Sequence, residues 1–181
     1  RIIGAGSNLL INNIFLKGLT ICTKAMRSIK INSITGIVEA EAGVMLPTMS
    51  NLLAKNGLQG GEWTVGIPGT VGGAICMNAG SGNFSLAKNL LSVQVIDSKT
   101  LEIYEILEKD IDFKYRFSPF QQNNLLIISS KLLFEPKGNI QQLLETTKRN
   151  LKRKTETQPY DMPSFGSVFK NPTNNYAGKL I

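Results

Sequence analysis

An arginine and a serine are the side chains of this sequence best suited to take part in a reaction. Arg116 lies in the segment YRFS at residues 115–118, and its guanidinium could hold a carboxylate through two parallel hydrogen bonds. A plain surface arginine is the alternative. Ser167 follows a glycine in the segment GSVFKNP at residues 166–172. As a nucleophile it would need an adjacent base, but it could protonate a carbanion or enolate unaided, because that transfer is downhill.

The absence of histidine from the sequence narrows the chemistry further. It excludes every catalytic triad built on imidazole and removes the commonest general acid or base. Cys22 and Cys76 are far apart and lack the C-x-x-C spacing of zinc sites, so we expect buried free thiols and no bound metal. The reaction must therefore depend on other side chains or on a cofactor.

Two glycine-rich segments are candidates for holding that cofactor. Residues 66–80 (GIPGTVGGAICMNAG) carry little charge, and their apolar residues argue against a flexible linker. Each glycine costs about 0.5 to 1 kcal/mol where alanine would serve, so we expect this loop to bring its backbone close to a flat or phosphorylated ligand. Residues 4–8 (GAGSN) lack the full dinucleotide and P-loop fingerprints, and form either a short amide nest or only a tight turn. Together the two segments favour a dinucleotide cofactor.

The pattern of apolar residues predicts the elements that must position these groups. Alternating and continuous apolar runs predict strands at 2–3, 36–42, 91–96, 101–106 and 125–133, the last three as a meander with a turn at 97–100. Apolar stripes predict one helix around 46–53, stopped by Gly57, and another from Asn139 to about Arg153. A linker is expected over 155–163, with a new unit starting near Ser164.

Composition places the chain among globular proteins. Its 181 residues are 42% hydrophobic, and its net charge is +7. A basic cluster over 148–154 suits the carboxyl end of the second helix, so a phosphate-bearing small ligand is expected in preference to nucleic acid. The sequence contains no apolar run long enough to span a membrane and no visible signal peptide, so a cytoplasmic protein is expected. Both ends of the sequence look truncated, so we expect an internal segment of a longer protein.

Four segments together resemble one enzyme family. GAGSNLLI, GIPGTVGGAICMNAG, YRFS and GSVFKNP, in this order and at these separations, resemble the UDP-N-acetylenolpyruvoylglucosamine reductases, FAD enzymes of bacterial peptidoglycan precursor synthesis. The resemblance covers essentially the whole chain. It implies an α+β FAD-binding fold of the vanillyl-alcohol-oxidase (PCMH) type. The implied units are the end of a first FAD-binding subdomain (1–23), a second FAD-binding subdomain (24–154) and the start of a separate α+β substrate domain (155–181).

The same resemblance implies a two-step reaction. NADPH first gives a hydride to bound FAD. In the second step the enolpyruvyl ether of UDP-N-acetylglucosamine receives a hydride at C3 and a proton at C2, which gives UDP-N-acetylmuramate. The family's third catalytic residue, a glutamate near its carboxyl terminus, has no counterpart up to Ile181. Some members grip the substrate diphosphate with a tyrosine and a lysine, and residues 152–154 lie in the right neighbourhood for the lysine.

Residue roles follow from the resemblance in the same way. Ser167 is implied as the proton donor, and Arg116 as the group that holds and polarises the substrate carboxylate. Tyr115, Lys170 and Asn171 are implied in substrate binding. The implied FAD contacts are Gly4, Ala5, Gly6, Ser7, Asn8, Gly66, Ile67, Pro68, Gly69, Thr70, Gly72, Gly73, Asn78, Ala79 and Gly80.

Other functions stay open at this point. An FAD oxidase of the same fold would consume oxygen without an enolpyruvyl acceptor. A basic nucleic-acid-binding protein would be colourless and would bind with a steep salt dependence. A third possibility is a partly folded fragment or degenerate copy without activity.

Overall fold

The computed structural model describes residues 1–12, 17–158, 162 and 166–181, and within them groups of mostly antiparallel strands are separated and followed by helices. The strands are β1 (Ile2–Ile3), β2 (Ile21–Cys22), β3 (Ile29–Ile31), β4 (Ile37–Glu41), β5 (Gly80–Ser81), β6 (Phe84–Ser85), β7 (Leu90–Asp97), β8 (Ile103–Leu107) and β9 (Leu125–Leu133). The α-helices are α1 (Leu46–Lys55), α2 (Val71–Cys76), α3 (Ile140–Thr157) and α4 (Ala177–Leu180). The predicted α+β class is confirmed.

An antiparallel sheet of five strands, in the order β3-β4-β9-β7-β8, forms the centre of the fold. The predicted hairpin of β7 and β8 is confirmed. The predicted meander is wrong, because β9 lies between β4 and β7 instead of beside β8. β9 begins with four consecutive apolar residues, which suits an inner strand, whereas β8 is mostly exposed and suits an edge.

The connection between β7 and β8 is longer than predicted. Leu101 has a left-handed φ of 62° and donates its N–H to Asp97 O at 2.8 Å. The Asp97 carboxylate also accepts the N–H of Lys99 at 2.7 Å, which closes the turn. β8 therefore begins at Ile103, two residues after the predicted start.

The core lies between one face of the sheet and the helices. Val38, Val93 and Leu132, from three neighbouring strands, are fully buried with Met49 and Leu53 of α1. Truncating a buried leucine or methionine of this kind to alanine typically costs about 2 to 5 kcal/mol of stability. This packing holds α1, and the glycine-rich segment that follows it, in place.

The two predicted helices are present, with one change of length. α1 has Pro47 in its first turn, and Gly57 follows it with φ of 68°. The side chain of Asn139 caps α3 by accepting the N–H of Gln142 at 3.0 Å. α3 runs past the predicted end to Thr157, so residues 155–157 are helical and not linker.

The carboxyl-terminal part of the prediction is only partly open to comparison. The remaining linker residues Pro159 and Pro163, and the predicted start near Ser164, lie outside the described residues. The three predicted domain ranges stay predictions. Across the described ranges, no helix combines the length and apolar character needed to cross a bilayer.

Candidate functional site

The two predicted glycine segments meet in space. Ser7 donates its hydroxyl to Pro68 O at 3.0 Å, which joins residues 4–8 to the start of the second segment. A Cβ at Gly4 would collide with Thr70 Oγ1, and a Cβ at Gly69, where φ is 131°, would lie 3.0 Å from Ser7 Oγ. These glycines therefore leave room for the side chains of Thr70 and Ser7 from the opposite segment.

The middle of the second segment is a helix and not the predicted loop. α2 begins after Thr70, whose Oγ1 accepts the N–H of Gly73 at 3.3 Å. A Cβ at Gly72 would lie only 2.8 Å from the Cβ of Ala42, so the glycine allows α2 to pack against the end of β4. The adjacent Gly72 and Gly73 hid this helix, because glycine has a poor helix propensity.

The first amides of α2 are already paired within the protein. Val71 donates to Val44 O at 2.8 Å, and Gly72 donates to Ala42 O at 2.9 Å. They cannot also offer N–H groups to a ligand, so the expected amide cradle does not include them. Gly72 is buried and Gly73 exposed. Gly72 and Gly73 stay predicted FAD contacts, but the contact would have to use atoms other than their paired N–H groups.

Arg116 is held against the other end of the same glycine-rich segment. Its Nη2 donates to Gly80 O at 2.7 Å and its Nη1 to Asn78 O at 3.4 Å. In return, the side chain of Asn78 donates to Lys114 O at 2.8 Å. Tyr115 lies under the guanidinium, with 5.2 Å between Arg116 Cζ and the ring centroid. The structure thus brings the predicted arginine and the predicted cofactor segment together.

Two polar residues that were not predicted from the sequence fix the contact between the Arg116 segment and the second glycine-rich segment. The hydroxyl of fully buried Ser118 donates to Cys76 O at 2.6 Å. Gln121 Nε2 donates to Cys76 O at 3.0 Å and to Arg116 O at 3.2 Å. Both residues follow the arginine within five positions, and that proximity was the only signal available in the sequence.

A cavity of about 290 Å³ opens beside Arg116. A short hairpin of β5 and β6 forms one wall, and Phe84 of that hairpin stacks on Trp63 with ring centroids 6.1 Å apart. Within the described chain, Asn78 Oδ1 is buried without a hydrogen-bond partner. The residues that line the cavity are Asn78, Gly80, Gly82, Asn83, Phe84, Ser85, Phe113, Lys114, Tyr115 and Arg116.

Cys76 at the end of α2 is not a nucleophile in this environment. Burial raises the pKa of its thiol, because a thiolate would lose its hydration there. A protonated thiol is a poor nucleophile. Both Cys22 and Cys76 are free, but Cys22 is exposed and Cys76 half-buried, so the expectation of a buried thiol is wrong for Cys22.

The predicted serine is not brought to the arginine. Ser167 and Lys170 are exposed, and among the described residues neither lines the cavity beside Arg116. Asn171 accepts the N–H of Ala177 at 3.0 Å, which supports the short helix α4. A lysine near the glycine segment is found on α3 instead, where the stem of Lys154 packs against Gly66.

Comparison with known proteins gives a family match over the amino-terminal part of the chain. Residues 1–103 match the family described as FAD binding domain. Both glycine-rich segments lie entirely within this range, whereas Arg116 and Ser167 lie outside it.

Relatives and a solved structure match the whole chain. It is 84% identical to a UDP-N-acetylenolpyruvoylglucosamine reductase of Prochlorococcus marinus subsp. pastoris, of which it covers 61%, and 46% identical to one from another Prochlorococcus marinus strain, of which it covers 59%. The crystal structure of the Thermus caldophilus reductase of this name aligns with a TM-score of 0.82 at 29% identity, over 100% of this chain and 64% of that one. The resemblance carried by the four sequence segments is confirmed. The chain spans about three fifths of the length of these curated relatives.

Proposed function

The chain belongs to the FAD binding domain family, and on that premise we propose that the whole protein is an NADPH-dependent UDP-N-acetylenolpyruvoylglucosamine reductase. Its substrate would be the enolpyruvyl ether of UDP-N-acetylglucosamine, and its product the peptidoglycan precursor UDP-N-acetylmuramate. The names of the relatives support this proposal. The observation that carries it is the position of Arg116, bonded to one end of the glycine-rich segment whose other end meets residues 4–8.

The described residues fit FAD as the cofactor. Gly4 and Gly69 leave room at the meeting point of the two segments for the hydroxyls of Thr70 and Ser7, and hydroxyl groups can bind phosphate oxygens. At the other end, the buried Asn78 Oδ1 has no partner among the described residues and can accept a hydrogen bond. When bound, FAD would supply hydride transfer from NADPH to the substrate.

Arg116 would hold the carboxylate of the enolpyruvyl group. Two of its N–H groups bond backbone carbonyls, and the others, including Nε, make no hydrogen bond within the described chain. A fork of these N–H groups suits a carboxylate. As C3 gains a hydride, negative charge spreads onto that carboxylate, and a fixed guanidinium stabilises it.

Ser167 would then donate the proton to C2. Because it is exposed and does not line the cavity among the described residues, the proposal requires residues 166–172 to lie over the cavity when the substrate binds. No histidine is present to replace it. The expected cytoplasmic location is likewise a proposal.

The test uses the whole protein and the visible absorbance of oxidised flavin. NADPH should bleach the flavin bands, and the enolpyruvyl substrate should restore them. Ser167→Ala should slow restoration by about 10² to 10⁴ and leave bleaching unchanged. Ser98→Ala, at an exposed turn, is the matched control. Equal slowing of both half-reactions would remove Ser167 from the mechanism, and rapid oxygen consumption without the enolpyruvyl substrate would favour an oxidase.

A further inference from the structure

Arg116 lies in a backbone conformation that an arginine rarely adopts. Phe117 donates its N–H to Lys114 O at 3.0 Å, which closes a four-residue turn with Arg116 at its third position. There φ is 56°, in the left-handed region that glycine or asparagine normally occupies in such turns. For a residue with a long side chain this conformation is unfavourable, and it persists only where the surroundings enforce it.

Asn78 contacts both the backbone of this turn and the side chain of Arg116. Its Nδ2 donates to Lys114 O, the same carbonyl that closes the turn. The main-chain carbonyl oxygen of Asn78 accepts a hydrogen bond from Arg116 Nη1. Asn78 is only 8% exposed and has a left-handed φ of 42°, a conformation that asparagine tolerates better than most residues.

We propose that Asn78 is a positioning residue that fixes the guanidinium of Arg116 for the substrate carboxylate. This inference rests on the proposed function, since it assigns Asn78 a share in that reaction. The side-chain amide of Asn78 has an NH₂ donor and an oxygen acceptor. The NH₂ group must face Lys114 O, because an amide oxygen in that position would repel the carbonyl. Oδ1 therefore faces away from the turn and stays available to accept a hydrogen bond from a bound molecule.

The role depends on geometry and not on charge. Without the bond to Lys114 O, the turn loses a contact that holds Arg116 in its strained conformation, and the guanidinium can leave the carbonyls of Asn78 and Gly80. A displacement of about 1 Å at such a position can lower a rate by about 10²-fold. The fold of the sheet does not depend on this bond, because the core residues lie elsewhere.

The experiment is a double-mutant cycle of Asn78→Gly and Arg116→Lys in the whole protein. Glycine keeps the left-handed backbone accessible and removes only the side chain. Asn78→Gly should slow flavin reoxidation by the substrate about 10-fold to 100-fold in the wild-type background and hardly at all when Arg116 is already lysine. The matched control is Asn89→Gly, which removes a comparable amide bond, to Leu133 O at 2.9 Å. Additive effects in the cycle would overturn the positioning role.

A second measurement separates this inference from the proposed reaction. In protein without substrate, the side-chain ¹⁵N resonance of Arg116, assigned with Arg116→Lys, should shift and broaden in Asn78→Gly and stay unchanged in Asn89→Gly. An unchanged resonance in Asn78→Gly would refute the positioning role even if the wild type turns over. A wild-type protein that fails to reoxidise with the substrate would refute the proposed function, while the resonance still tests the contact.

Discussion

The two ends of the glycine-rich segment are fixed by opposite means. At its amino-terminal end, the missing side chains of Gly4, Gly69 and Gly72 leave room for Thr70, Ser7 and Ala42 respectively. At its carboxyl-terminal end, residues 76–80 are held by side chains from another part of the chain, because Ser118 donates to Cys76 O and Arg116 donates to Asn78 O and Gly80 O. A junction made by absent side chains is intolerant of added volume, whereas a junction made by hydrogen bonds is sensitive to removed atoms. The comparison teaches that one glycine-rich segment can carry two kinds of site.

The largest expected effect comes from adding volume at the amino-terminal junction. Gly72→Val would place methyl groups where even a Cβ lies 2.8 Å from Ala42, so α2 must shift from β4. Overpacking of this kind costs about 1 to 3 kcal/mol, measurable by urea unfolding. Gly73→Ala is the matched control, because its Cβ would lie 3.4 Å from Thr70 Oγ1 and alanine favours a helix. Equal stability of the Gly72 and Gly73 variants would contradict the packing role of Gly72.

A smaller effect is expected from removing a donor at the carboxyl-terminal junction. Ser118→Ala deletes the hydroxyl bonded to Cys76 O, and Gln121 remains as a second donor to that oxygen. The expected loss is about 1 kcal/mol of unfolding free energy, because the carbonyl keeps a partner. Ser118→Ala combined with Gln121→Ala should cost more than the sum of the two single changes. Simple additivity would show that the two donors do not share one function.

The smallest effect is expected away from both junctions, on the polar face of the sheet. A hydrogen bond from Ser92, and then Lys131 beside it, lowers the pKa of Glu105. A lowered pKa in the folded state means that Glu105 adds stability above its unfolded pKa, and that this stability is lost as pH falls through the folded pKa. Ser92→Ala should raise the pKa of Glu105 in a carboxyl NMR titration and leave both junctions unchanged. An unshifted titration would show that Ser92 does not matter to this carboxylate.

Local features of the fold were predictable from the sequence because they depend on neighbouring residues. The end of α1 at Gly57 and the β7–β8 hairpin are of this kind. The insertion of β9 between β4 and β7 was not, since strand order is set by contacts far apart in the chain. The helix α2 was hidden for another reason, because packing against Ala42 overrides the poor helix propensity of its glycines.

Some residues of the candidate site were likewise predictable from the sequence, and others were not. The glycine segments were predicted from their density of glycine, and Arg116 from the fit of a guanidinium to a carboxylate and from the family resemblance of the segment YRFS. Ser118 and Gln121 were missed, because a serine and a glutamine in a short segment carry no signal until the fold places Cys76 O beside them. The left-handed turn at Arg116 could not be predicted either, because a glycine at that position would have indicated it and an arginine does not.

The stacking of Phe84 on Trp63 gives the protein a built-in optical probe. The chain contains one tryptophan, so its tryptophan emission, unlike that of its four tyrosines, arises from a single place in the chain. That indole contacts the ring of Phe84 on the β5–β6 hairpin, which forms a wall of the cavity beside Arg116. Any movement of this wall changes the surroundings of one emitter. Ligand entry can therefore be followed by emission intensity and wavelength without attaching a dye.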